Sequence, residues 1–169
     1  MQQTTTAPTQ REAEGRAGLT AAIVIAAVTV FVAVAGSLGT DPDSSWFTAL
    51  DKPSFYPPNW LFGPVWTAIY VLAAASAWLA WRDVAGEQRS SVMWMFAGNA
   101  ALNLAWTFIF FRAQAPVVAG IEIVVLLASI VWLIVRIRPW NTTAAALLVP
   151  YALWVTFATA LTWAIAIAN

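Results

Sequence analysis

The side chains in this sequence that could do chemistry are few, and they are aromatic, amide and carboxylate groups. Histidine and cysteine are both absent. That removes disulfides, thiolate chemistry, imidazole ligation of haem iron and the usual zinc sites. Trp66 and Tyr70 stand one helical turn apart, offering π faces with an indole N–H and a phenol O–H that need partners away from water. Asn99, Asn103 and Trp106 follow at intervals of four and three, which puts them on one helix face. Tyr151, Trp154, Phe157, Ala158 and Leu161 recur at helical spacing near the C-terminus. Glu122 is the one acidic residue well inside an apolar run. Such a residue implies either a functional role or structural pairing, with Arg112 or a polar group of another helix as candidate partner. No carboxylate pair, activated nucleophile or metal-ligand cluster stands out, so no metal site and no conventional catalytic constellation is expected.

The elements that must position these groups are membrane spans. Apolar residues make up 61% of the 169 residues and charged ones 9%, against about 25% charged in a soluble domain. Five apolar segments, residues 19–38, 61–81, 91–111, 116–135 and 144–168, each have the ~20 residues needed to cross the hydrocarbon core. The expected fold is an all-α membrane protein, a single bundle of five transmembrane helices over residues 19–169. Residues 1–18 are too poor in apolar surface to order themselves and read as a flexible tail. A cleaved signal peptide is the rival reading of the N-terminus. Arg11, Arg16, Arg82, Arg89, Arg136 and Arg138 fall on the N-terminal side and only Lys52 and Arg112 opposite, which orients the N-terminus to the cytoplasm and the first loop outward. The zero net charge and scattered basic residues exclude a nucleic-acid partner.

Residues 39–60 are the outlier among otherwise short connections. Pro53, Pro57 and Pro58 stiffen this Pro/Trp-rich first loop, and Trp46, Phe47, Phe55, Tyr56 and Trp60 give it an amphipathic surface suited to a lid or to an interfacial anchor. After it, Gly63, Pro64, Val65 and Trp66 open the second span, with Pro64 near the helix start, where its missing N–H is no loss. Ala97, Ala101 and Ala105 permit close helix approach in the third span, a possible homodimer seam. Pro150 can bend the fifth.

The run WFTALDKPSFYPPNWLFGPVWTAIY from Trp46 to Tyr70 resembles the signature of the tryptophan-rich sensory protein (TspO/MBR) family, also called translocator proteins or peripheral-type benzodiazepine receptors. NAALNLAW in the third span and PYALWVTFAT in the fifth are similar to the family's patterns, and the likeness covers nearly the whole chain after the tail. Thr162 departs from the Asn of many members, and no basic residue follows for the proposed cholesterol-recognition pattern, which puts sterol binding in doubt.

The resemblance implies a bacterial inner-membrane protein, often dimeric, that binds protoporphyrin IX-type tetrapyrroles or other flat hydrophobic molecules beneath the first loop. It implies a stress sensor or regulator of porphyrin level that needs no resident cofactor. Trp66 and Trp154 match the tryptophans linked in the family to light- and oxygen-dependent porphyrin breakdown, which implies a photochemical catalytic role for them. Phe62, Gly63, Val118, Ala158 and Leu161 match cavity-lining positions, and Trp46, Val65, Tyr70, Asn103 and Trp106 are added as ligand contacts. Lys52 could pair with a propionate or snorkel at the interface. Binding and sensing, enzymatic breakdown and transport remain three classes, and a small drug-efflux protein is a competitor outside the family.

Overall fold

In hydrocarbon every backbone N–H and C=O must be satisfied within the chain, so long apolar segments close into helices. The computed structural model describes residues 10–169, with side chains from Gly15 onward. Helix α1 spans Gln10–Gly39, α2 Ser45–Ala49, α3 Phe62–Asp83, α4 Gly86–Thr107, α5 Pro116–Ile137, α6 Thr142–Leu147 and α7 Val149–Ala168. A 3-10 turn at Asn59–Leu61 leads into α3, and a π turn at Phe108–Arg112 extends α4. Five stretches, Gly15–Gly39, Asn59–Asp83, Gly86–Arg112, Pro116–Ile137 and Thr142–Ala168, are long and apolar enough to cross a membrane. The expectation of an all-α chain with five apolar spans is met among the described residues.

Three boundaries differ from the sequence reading. The tail expected over residues 1–18 is helical from Gln10 on, because good helix formers such as Arg, Glu and Ala extend a helix already nucleated by the apolar run. Its residues 1–9 lie outside the described residues. The segment 39–60 is not loop throughout: Ser44 caps α2 by accepting a hydrogen bond from the Phe47 N–H at 3.3 Å, and the helix ends before Pro53. In the last span Pro150 has no N–H for the Ala146 carbonyl. The helix breaks at Leu148, and α7 restarts with Pro150 in its first turn.

The core runs along α5, whose Ile123, Leu126, Ile130, Leu133 and Ile137 recur every three or four residues and are buried against α4 and α7. At Gly120 α5 and α7 approach so closely that a Cβ would stand 2.9 Å from the Trp163 ring. Helix α3 is tied to α6 by the buried Ser76 hydroxyl, which donates to the Ala144 carbonyl at 2.8 Å. Helix α1 is different: it places Val32 in the core but turns Leu19, Ile23, Val30 and Phe31 outward, a face suited to lipid.

Both ends of the bundle are fastened by polar contacts. At the end holding the α1 N-terminus, Gly86 takes a φ of 61° to turn α3 into α4, and the Asn141 side chain caps α6 by accepting from Ala144 N–H at 2.7 Å while donating to the Asp83 carboxylate. At the opposite end Arg112 donates to the Leu38 carbonyl, and the Asn169 amide both accepts from the Asp51 N–H at 2.9 Å and donates to the Asp51 carbonyl at 3.2 Å. The connection between α1 and α3 is thereby pinned to the end of α7.

Candidate functional site

A cavity of about 450 Å³ lies at this second end, between α1, α3, α4 and α7 and beneath the connection that carries α2. Helical periodicity builds its walls. Phe62, Trp66 and Tyr70 recur every four residues on α3, with Gly63 beside them, and Trp154, Ala158, Leu161 and Ile165 recur every three or four on α7. From α4 come Asn103, Trp106 and Thr107. The π turn then brings the consecutive Phe110 and Phe111 to the same cavity, its wider winding marked by the Ala113 N–H donating to the Phe108 carbonyl at 2.9 Å. Phe47, Tyr56 and Asn59 line it from the first connection.

Aromatic contacts hold these walls in place. Trp106 stacks on Phe110 with ring centroids 5.3 Å apart and an interplanar angle of 15°, and Trp66 lies 5.5 Å from Tyr70. Trp154 meets Phe62 edge-on at 5.6 Å and Phe157 at 5.5 Å. The Tyr56 hydroxyl donates to Asn59 Oδ1 at 2.7 Å, and burial pushes this phenol above its ordinary pKa.

Polar atoms are distributed unevenly. At the inner end the Tyr70 hydroxyl donates to Asn103 Oδ1 at 3.2 Å, and Asn103 Nδ2 donates to the Tyr151 hydroxyl at 3.2 Å, so one amide bridges α3 and α7. The indole Nε1 atoms of Trp106 and Trp154 are buried and have no hydrogen-bond partner among the described residues. Buried donors are rarely left so, and each such group calls for a reason. No charged residue lines the cavity among the described residues.

Of the residues singled out in the sequence, Phe62, Gly63, Trp66, Tyr70, Asn103, Trp106, Trp154, Ala158 and Leu161 come together around this cavity. Trp46, Val65 and Val118 do not. Trp46 stands behind the wall, 5.6 Å from Phe110. Val65 packs into the main core. Val118 is 53% exposed on α5, one position and hence about 100° round the helix from the buried Ala119, and no α5 residue lines the cavity among those described.

Two charged residues also depart from expectation. Lys52 Nζ donates to the Phe47 carbonyl at 2.6 Å and the Leu50 carbonyl at 3.3 Å, and lies 4.6 Å from the Phe47 ring centroid, so it caps α2 instead of facing the cavity. Glu122 is not paired with Arg112, whose guanidinium is turned to Leu38; its carboxylate oxygens are buried with no partner among the described residues.

The contribution of α1 was not read from the sequence. Ala33, Gly36, Ser37 and Thr40 line the cavity, and Gly36 lets the Tyr70 hydroxyl approach to 3.5 Å of where a Cβ would be. The available signal was the spacing of these small residues along one face of an otherwise bulky apolar helix.

A model of the TspO/MBR family matches residues 22–168. The Tryptophan-rich protein TspO of Archaeoglobus fulgidus is 35% identical over 149 residues, covering 86% of this chain and 96% of that protein. That of Chlorobaculum tepidum is 38% identical over 138 residues, covering 79% and 86%. The human Translocator protein is 32% identical over 122 residues, covering 71% and 72%.

Proposed function

Because this chain belongs to the TspO/MBR family of membrane proteins, we propose that it binds a tetrapyrrole of the protoporphyrin IX type in the cavity beneath its first connection and acts as a sensor or regulator of porphyrin level. The observation that carries the reading is the wall itself, in which Phe62, Trp66, Trp106, Phe110, Phe111 and Trp154 surround one cavity. Flat aromatic ligands suit such walls. The volume of about 450 Å³ falls within the range of about 300–1,000 Å³ usual for small-molecule sites. With no histidine or cysteine in the chain, the metal-free macrocycle is favoured over axially ligated haem.

In this reading the N-terminus faces the cytoplasm of a bacterial cell and the first connection faces outward, as the distribution of arginines supports. A second copy of the chain docks through α4, where Ala97 and Ala101 are exposed. A dark titration of the purified protein with protoporphyrin IX, followed by tryptophan quenching, tests the assignment. Saturable binding that is lost in Ala158→Phe, which fills the cavity, supports it; absence of saturable quenching in the wild type refutes it.

A second reading, light- and oxygen-dependent breakdown of the bound porphyrin, is favoured by one observation. Trp66 and Trp154 line the same cavity, and Trp66 lies within 6.1 Å of Tyr151 as well as beside Tyr70. Loss of porphyrin absorbance under illumination in oxygen, abolished by Trp66→Phe, would assign catalysis to this site; porphyrin stable to illumination would restrict the protein to binding.

A further inference from the structure

A second cavity, of about 570 Å³, lies between α1, α3 and α4 on the other side of the Tyr70, Asn103 and Tyr151 bridge. Tyr70 and Asn103 line both cavities, so this hydrogen-bonded group is the partition between them. The α1 residues that line the second cavity run from Ala17 to Val32, about 22 Å along the axis at about 1.5 Å per residue. That exceeds a single leaflet, half of a hydrocarbon core about 30 Å thick. The opposing wall is cut back by Ala73, Ala77 and Ala100, and the α1 side is open, with Val24 and Val28 substantially exposed.

Its polar groups are already engaged. The Thr20 hydroxyl donates to the Arg16 carbonyl at 2.9 Å and Thr29 to the Ile25 carbonyl at 2.8 Å. Asn99 donates to the Ser129 hydroxyl at 2.8 Å, and Tyr70, Asn103 and Tyr151 bond one another. Away from the partition an occupant meets almost only alkyl and aromatic surface, the remaining donors being the Tyr151 O–H and the second amide hydrogens of Asn99 and Asn103, so its body must be apolar.

The end at Ala17 and Trp81 is different. Gly18 lies against the Trp78 and Trp81 rings, which stack 5.5 Å apart, and the Arg89 guanidinium stands 5.0 Å from the Trp81 ring centroid. Arg89 uses Nε to donate to the Val84 carbonyl at 2.8 Å, and its Nη groups make no hydrogen bond among the described residues. Arg16 is exposed at the same end, while Arg82 is held by Asp83 at 2.7 Å and Glu87 is the other acid nearby.

We propose that the second cavity holds one acyl chain of an anionic phospholipid, entering sideways past Val24 and Val28, with the headgroup phosphate held by Arg89 and Arg16 and the chain end lying against the Tyr70–Asn103–Tyr151 partition. The slot is long and apolar, opens toward the bilayer and carries guanidinium groups at one end, which matches an anionic lipid in all four respects.

Native mass spectrometry of the full chain in detergent, titrated with phosphatidylglycerol or with phosphatidylcholine of the same acyl chains, tests this without any porphyrin. The proposal therefore stands or falls independently of the tetrapyrrole assignment. Wild type is expected to retain one phosphatidylglycerol more tightly than Ala73→Leu/Ala100→Leu by about tenfold, because the added side chains fill the space the acyl chain would bury. Arg89→Gln is expected to remove the preference for phosphatidylglycerol over phosphatidylcholine while leaving a weaker adduct of either. Ala21→Phe, on the α1 wall of the cavity and away from the α4 seam, serves as an independent blocking variant should the double variant fail to fold. Equal lipid retention in wild type and blocked variants, no headgroup preference in wild type, or a second copy of the chain appearing in place of lipid would each overturn the proposal.

Discussion

Trp154→Phe separates a ligand-binding role from a structural one, because the two roles predict opposite patterns. The Trp154 Nε1 has no hydrogen-bond partner among the described residues, so its removal breaks no bond in the ligand-free protein. Phenylalanine keeps an aromatic ring near Phe62 and Phe157, which the indole meets at 5.6 and 5.5 Å. The remaining loss is part of one ring in a wall that already borders a cavity, a cost of about 1 kcal/mol. For a chain of this size that lowers the melting temperature by about 2–4 °C. With ligand bound, the indole also offers its larger ring face to the macrocycle, and aromatic pairs of that kind contribute about 0.5–1.5 kcal/mol beyond their burial. At about 1.4 kcal/mol per decade, the dissociation constant for protoporphyrin IX should rise about 2- to 10-fold. Dark titration by tryptophan quenching measures it, since ten of the chain's 11 tryptophans remain to report. Thermal unfolding followed by the same fluorescence gives the stability. Unchanged affinity with an unchanged melting temperature would refute the argument, and so would a loss of stability large enough to account for weaker binding.

Four further outcomes follow from the same geometry. Glu122→Gln should not lower the melting temperature, because the buried carboxylate has no partner to lose and an amide is less costly in hydrocarbon than a charge; a fall beyond about 4 °C, roughly 1 kcal/mol here, would mean that Glu122 is paired after all. Gly120→Ala puts a Cβ 2.9 Å from the rigid Trp163 ring and should destabilise by about 1–3 kcal/mol in detergent unfolding, whereas Gly98→Ala, with nothing within 4 Å, should not. Asn103→Leu strips partners from the Tyr70 and Tyr151 hydroxyls together and should cost about 1–2 kcal/mol, more than Asn103→Gln, which keeps both an acceptor and a donor. Burial raises the Tyr56 pKa above 10.0, so its contribution is complete below the unfolded value and disappears as pH rises through the folded one. The stability difference between wild type and Tyr56→Phe should therefore stay constant up to about pH 10 and shrink above it, as a melting series across pH would show.

The spans were legible because hydropathy and length speak directly to a bilayer, and the faces of α3 and α7 were legible because a period of 3.6 places Trp66 with Tyr70 and Trp154 with Ala158. What escaped the sequence was anything set by rotation or by local winding. Val118 and Ala119 are equally apolar neighbours, and only the orientation of α5 decides that one is exposed and the other buried. The π turn that brings Phe110 and Phe111 to one cavity has no period to reveal it, and the role of α1 hid in small residues that a hydropathy reading passes over. Charged groups were the least legible. Lys52 found the carbonyls of its own neighbouring helix end, a local contact of low entropic cost, whereas Arg112 reached the last turn of α1, a partner that no local pattern reveals.

The two cavities differ in what their walls present, and that difference decides what each can accept. Around the first, the rings of Phe62, Trp66, Trp106 and Trp154 offer faces and edges to a flat occupant. Around the second, threonine hydroxyls are returned to their own helix and the amides are bonded across helices, so a polar occupant would recover little of the hydration it loses. Tyr70, Asn103 and Tyr151 stand between them as a single bonded unit. A change in either neighbour that moves Asn103 must break or lengthen a bond on both sides. The occupants proposed for the two sites would therefore be coupled through one amide, and Asn103→Leu, which removes that amide, should make lipid retention independent of porphyrin.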